Sequence, residues 1–207
     1  MVASMRELDR ALIDIAVMRD QIARSCEFQG FGPTTLAITA TLALVVAALQ
    51  PYVLHDPVNH ASLFVTIWFC VAGFSLLLIG SEALRRSKRV HGSMGFSMLK
   101  IAAEHFCPAI VAGGLLTVVL LQTAPKECWM LPGLWQLLFC LGAFATARIL
   151  PRPMFLVGIW YLVSGLACLE AGQYYPLSGW SMGVPFGVGQ LLVCGILLQR
   201  RELLPEI

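Results

Sequence analysis

The sequence predicts an all-α, polytopic membrane protein: six transmembrane helices arranged as three antiparallel hairpins, preceded by a cytoplasmic amphipathic helix. Three observations lead there. Of the 207 residues, 58% are hydrophobic and only 13% charged, against about 25% charged in a typical soluble domain. Mean hydropathy is +0.78, so lipid must be the solvent for much of the chain. Finally, the basic residues are distributed very unevenly about the apolar segments.

Six segments are long and apolar enough to cross a hydrocarbon core of about 30 Å. They run roughly from Thr35 to Val53, Ala61 to Ser81, Ile101 to Gln122, Leu131 to Ala147, Pro153 to Gly172 and Trp180 to Gln199. Short connections make successive helices antiparallel neighbours, and open strands are excluded because lipid cannot satisfy unpaired backbone groups. Thirteen of the fourteen basic residues fall on one side, in the tail (Arg6, Arg10, Arg19, Arg24), the second connection (Arg85, Arg86, Lys88, Arg89, Lys100), the fourth turn (Arg148, Arg152) and after the last span (Arg200, Arg201). Only Lys126 lies opposite. The positive-inside rule then puts both termini in the cytoplasm, with the bacterial inner membrane as the expected location. Tyr52, Trp129, Tyr174, Tyr175 and Trp180 sit at the outer ends of spans, where amphipathic rings prefer the headgroup level.

The expected organisation is a cytoplasmic amphipathic helix and turn over residues 1–33, a six-helix transmembrane domain over 34–201 and a short cytoplasmic tail over 202–207. The opening residues mix acids and bases before any apolar run and do not read as a secretory signal. Within residues 4–25, Ser4 and Glu7 form a capping box. Met5, Leu8, Leu12, Ile15 and Ile22 keep one face apolar. With four basic and five acidic residues over 1–33, attraction to anionic lipid is weak. The helix is expected to contact a cytoplasmic partner or a second copy of itself; the alternative is an interfacial anchor on the bilayer. Arg85, Arg86, Lys88 and Arg89 form a dense basic run beside the membrane, either gripping anionic headgroups or acting as a topological stop.

Ionisable groups in or near spans are the default functional candidates. On the cytoplasmic side these are Glu82, Glu104, His105 and Arg148, which either relay protons or pair structurally. Outside, His55, Asp56 and His60 cluster in one loop and Glu170 lies about a turn inside the fifth span, a candidate vestibule. The two histidines are too loosely spaced for a metal motif, and neither a metal nor a cofactor is expected. Gly179, Gly183 and Gly187 recur at helical spacing in the sixth span. They suit close helix packing or, with Pro185, unwinding of the helix at a transport site. Gln136-Leu-Leu-Phe-Cys140 recurs as Gln190-Leu-Leu-Val-Cys194, a weak sign of a repeated hairpin. The seven scattered cysteines form no C-x-x-C pair and read as small packing hydrophobes.

No H-E-x-x-H, P-loop or serine–histidine arrangement appears in the spans, and nothing points to nucleic acid. The expected function is non-enzymatic: a membrane sensor, scaffold or accessory subunit. The alternatives are a small transporter or channel protomer, and an enzyme acting on a lipid-derived substrate through Glu82, Glu104 and His105.

Overall fold

The computed structural model describes residues 32–90, 92–146, 153–172, 174 and 177–203, with the side chains of 86–99, 102 and 200–203 aside. The amphipathic helix expected over residues 4–25, Arg148 and Tyr175 lie outside the described residues. What is described is helical, without strands. The helices are α1 (Pro33–Val53), α2 (Ala61–Val90), α3 (Gly92–Thr123), α4 (Leu131–Thr146, preceded by a 3₁₀ turn Pro125–Met130), α5 (Met154–Gly172) and α6 (Trp180–Leu203). Six segments on these helices have the length and hydropathy to cross a membrane, the composition of a multi-pass membrane protein.

Local chemistry sets the boundaries. Gly32 caps α1, with Pro33 in the first helical position, where its missing N–H costs nothing. Asp56 caps the turn that leads into α2: its carboxylate accepts the Asn59 backbone N–H at 3.2 Å and the Asn59 side-chain amide at 2.6 Å. These bonds hold the exposed Asp56 carboxyl below its ordinary pKa. α2 and α3 extend well past their apolar windows. The basic run Arg85–Arg89, expected in a connection, therefore lies on helix α2. Arginine and lysine are good helix formers, so hydropathy ends there while the helix does not.

Chain order runs around the bundle. α1 packs on α2, α2 on α3, α3 on α4, α4 on α5 and α5 on α6, and α6 returns to α1; the most extensive pairings are α1 with α6 and α4 with α5. Two interior clusters result. Near the Trp129 end, Ala43, Ala47, Phe64, Trp68, Leu131 and Met182 bring together α1, α2, α4 and α6. Near the other end, Cys140, Met154, Val157 and Tyr161 join α4 and α5 to Phe186 and Val193 of α6. Phe139 there stacks against Phe106, Tyr161 and Phe186, with ring centroids 4.7, 4.6 and 5.5 Å away. The outward faces stay apolar: Ile110, Val111, Leu115, Val118 and Val119 of α3 are all exposed. Such a face is soluble only in hydrocarbon.

Glycines set the closest crossings. A Cβ on Gly183 would stand 2.3 Å from the Ala47 Cβ and 3.0 Å from the Ala43 carbonyl oxygen. Gly179 meets Ala47 and Gln50 in the same way, and Gly187 meets Leu44 and Ala40. The stripe on α6 thus runs along the alanine face of α1. On the α4–α5 crossing, a Cβ on Gly133 would lie 2.8 Å from the Gly165 carbonyl oxygen, and one on Gly165 would lie 3.1 Å from that of Gly133. α6 is continuous through Pro185, so the unwinding considered from the sequence does not occur.

Replacing Gly183 by leucine is expected to destabilise the protein by about 1–3 kcal/mol, the usual cost of overpacking. Gly195→Leu, at a position with open space around it, should be close to neutral. Thermal unfolding of the two purified variants in detergent checks this, and equal midpoints would contradict the packing.

Candidate functional site

The ionisable candidates separate rather than converge. Glu82 on α2 reaches the start of α1, where a Cβ on Gly32 would collide with its carboxylate. An anion there faces the positive end of the α1 dipole. Glu104 and His105 stand exposed on α3, and Glu104 pairs with Lys100 at 3.7 Å, one helical turn away. Such an exposed pair contributes little. Arg85 is exposed; the side chains of Arg86, Lys88 and Arg89 lie outside the described residues.

At the opposite end, His55, Asp56 and His60 are all exposed. The carbonyl oxygen of Asp56 lies 3.0 Å from the His60 Nδ1. Because a carbonyl only accepts, this nitrogen carries the proton. The loop is thus tied down by its own short-range bonds. Glu170 is exposed on α5. Among the described residues, no group of three or more His, Cys, Asp and Glu side chains is placed to hold a metal ion.

The buried polar chemistry lies elsewhere. The buried polar residues described are Thr39, Gln50, Ser75, Thr117, Gln136 and Thr146, and none is charged. Four of them, Thr39, Gln50, Thr117 and Gln136, make hydrogen bonds from one helix to another. Gln50 of α1 accepts the Trp68 indole N–H from α2 at 2.9 Å. Thr117 of α3 accepts the Trp135 indole N–H from α4 at 2.8 Å while donating to the Gly113 carbonyl at 2.7 Å. Thr39 of α1 donates to the side-chain carbonyl of Gln190 on α6. The Cys194 thiol donates to the Pro33 carbonyl at 3.2 Å.

The most consequential link centres on Pro185. A proline inside a helix has no N–H, so the carbonyl four residues before it loses its donor. In α6 that carbonyl belongs to Ser181. The side-chain amide of Gln136, on α4 and 0% exposed, donates to it at 2.8 Å. The Cys168 thiol of α5 approaches the same oxygen at 3.5 Å, and the Gln136 amide nitrogen lies 3.4 Å from the Cys168 sulfur. Three helices meet at one stripped carbonyl. The Pro185 carbonyl in turn accepts the Trp160 indole N–H at 2.9 Å. The Gln136 Oε1 accepts no hydrogen bond among the described residues.

Beside this junction, a cavity of about 490 Å³ lies between α5 and α6 near the Trp129 end. Cys168, Ser181 and Pro185 lie on its walls, and Glu170 does not line it. From the sequence, Gln136 stood out only as part of a repeat. The available signal was a glutamine in an otherwise apolar run together with a proline in a neighbouring one. What remained non-local was which carbonyl the glutamine meets.

Gln136→Leu is expected to lower stability by about 0.5–2 kcal/mol, the range of interhelical hydrogen bonds in membranes. Pro185→Ala restores a backbone donor to Ser181, so the same Gln136→Leu change should cost at most about half as much in that background. A double-mutant cycle read by denaturant unfolding in micelles tests the coupling, and equal penalties in both backgrounds would break it. In comparisons with known proteins, no protein-family model, curated protein or solved structure gives a significant match to the chain.

Proposed function

We propose that this protein is a non-enzymatic membrane module, a sensor, scaffold or accessory subunit, whose bundle presents residues 4–25 to a cytoplasmic partner or to a second copy. In this reading the helices cross the inner membrane as three antiparallel hairpins with both termini cytoplasmic. The Gly32 end faces the cytoplasm, and the Trp129 end faces outward.

One observation carries the proposal. Among the described residues, the six buried polar residues are uncharged, four of them bond from one helix to another, and the half-buried Glu82 carboxylate sits at the Gly32 end. Ion-coupled transport generally uses intramembrane ionisable groups. Here Glu104 and Glu170 are exposed and α6 is unbroken, which supports the non-enzymatic reading over a transporter. An acid–base enzyme needs its groups within reach of one substrate. Glu82 instead packs on Gly32, while Glu104 pairs with Lys100 on the exposed face of α3. The basic run on α2 adds a surface for anionic headgroups next to the proposed cytoplasmic tail.

Two experiments follow. A reporter fused after Arg201 should be active only in its cytoplasmic form, and activity restricted to the outside would reverse the orientation. Deleting residues 1–30 should leave membrane insertion intact while abolishing recovery of crosslinked partners or of a differently tagged copy. Unchanged recovery would refute the role given to the tail.

A further inference from the structure

The cavity between α5 and α6 has a definite chemical character. Among the described residues, no acidic, basic or histidine side chain lines it. Several of the donors around it are already used. The Trp160 indole donates to Pro185, the Ser181 hydroxyl to the Ser178 carbonyl at 2.6 Å, and the Ser164 hydroxyl to the Tyr161 carbonyl at 3.4 Å. At one edge the Trp129 indole donates to Glu127 at 3.0 Å. An ion or a charged substrate would find no opposite charge among the described lining residues, and burying it would be costly.

An apolar chain meets the opposite situation. Val163 and Val184 line the cavity, yet are 57% and 40% exposed. The mouth is therefore continuous with the outward apolar faces of α5 and α6, which lipid covers if these helices span a bilayer. Trp129 and Trp180 also line the cavity, at the end where indoles suit the headgroup level. A volume of about 490 Å³ falls in the usual range of ligand pockets, about 300–1,000 Å³. Leu177, held at φ 52° and buried, lines it from the connecting turn. A non-glycine residue held in this region is strained, so the surrounding packing must enforce that wall.

We propose that this cleft is a lipid site, holding one acyl chain of a bilayer phospholipid between α5 and α6 with its headgroup at the Trp129–Trp180 edge. It differs from the general lipid coat in being concave, a cleft walled by α5, α6 and the turn at Trp129. The proposal rests on the helices spanning a bilayer, but not on the partner role given to the tail.

The test uses the full-length chain in vesicles of phosphatidylethanolamine and phosphatidylglycerol, doped with a phosphatidylcholine carrying a photoreactive diazirine in its acyl chain. After irradiation, mass spectrometry reads labelling residue by residue. Labelling at Val163, Ala167 and Val184 should exceed that at Leu115 and Val119 of α3 by about fivefold, the ratio that a modest site preference produces. Ala167→Trp fills the cleft and should bring its labelling down to the α3 level while leaving α3 unchanged. Should that variant lose its unfolding transition, Val184→Trp at the mouth serves the same purpose. Equal labelling of the cleft and α3 in the unaltered protein, or cleft labelling that persists in a folded filled variant, would overturn the proposal. Alkaline extraction of the same vesicles tests the underlying premise separately: release of the chain into the aqueous phase would refute membrane spanning, whatever the labelling pattern.

Discussion

Hydrocarbon offers a backbone carbonyl no partner, and a buried one left without a donor costs free energy comparable to a lost hydrogen bond. Pro51, Pro108 and Pro185 each create that problem inside a helix, and at Pro185 a neighbouring helix answers it. Pro185 removes the donor that the Ser181 carbonyl would have within α6, and Gln136 of α4 provides another at 2.8 Å, with the Cys168 thiol of α5 alongside. Because three different helices supply the parts, satisfying this carbonyl also sets how they sit together. The Trp160 bond to the Pro185 carbonyl fixes the next turn of the same helix.

The remaining contacts follow from small residues. Without a hydrophobic force between helices in lipid, close van der Waals packing must provide the association. α6 meets α1 through Gly179, Gly183 and Gly187 against Ala40, Ala43 and Ala47, while α4 meets α5 glycine to glycine at Gly133 and Gly165. Alongside these crossings, Gln50 with Trp68 and Thr39 with Gln190 supply polar links between the same or adjacent helices. Small residues let the backbones approach, and the side-chain bonds then restrict the register. The combination commits four of the six buried polar residues described to bonds between helices.

The exposed ionisable residues have local explanations. Asp56 caps the turn into α2 through Asn59, and Glu104 pairs with Lys100 along one helix. Glu82 is the exception, since it crosses to Gly32 on another helix. The cavity between α5 and α6 is of another kind: its described lining carries no charged side chain, and it opens onto an apolar face.

The sequence by itself determined the number of spans, their approximate limits and the stripe of glycines on the last one. These are local properties: a run of about 20 apolar residues is enough to define a span, and a repeat of four positions is enough to define a face. Helix ends past the apolar windows were less legible, because the basic residues at the end of α2 interrupt hydropathy without interrupting helix formation. Only the tertiary structure decided that α6 closes on α1, that Gly133 faces Gly165, that Glu82 packs on Gly32 and that Gln136 meets Ser181. Each of those pairs residues far apart in the chain, and a pairing depends on which faces pack together in three dimensions, which no single segment encodes.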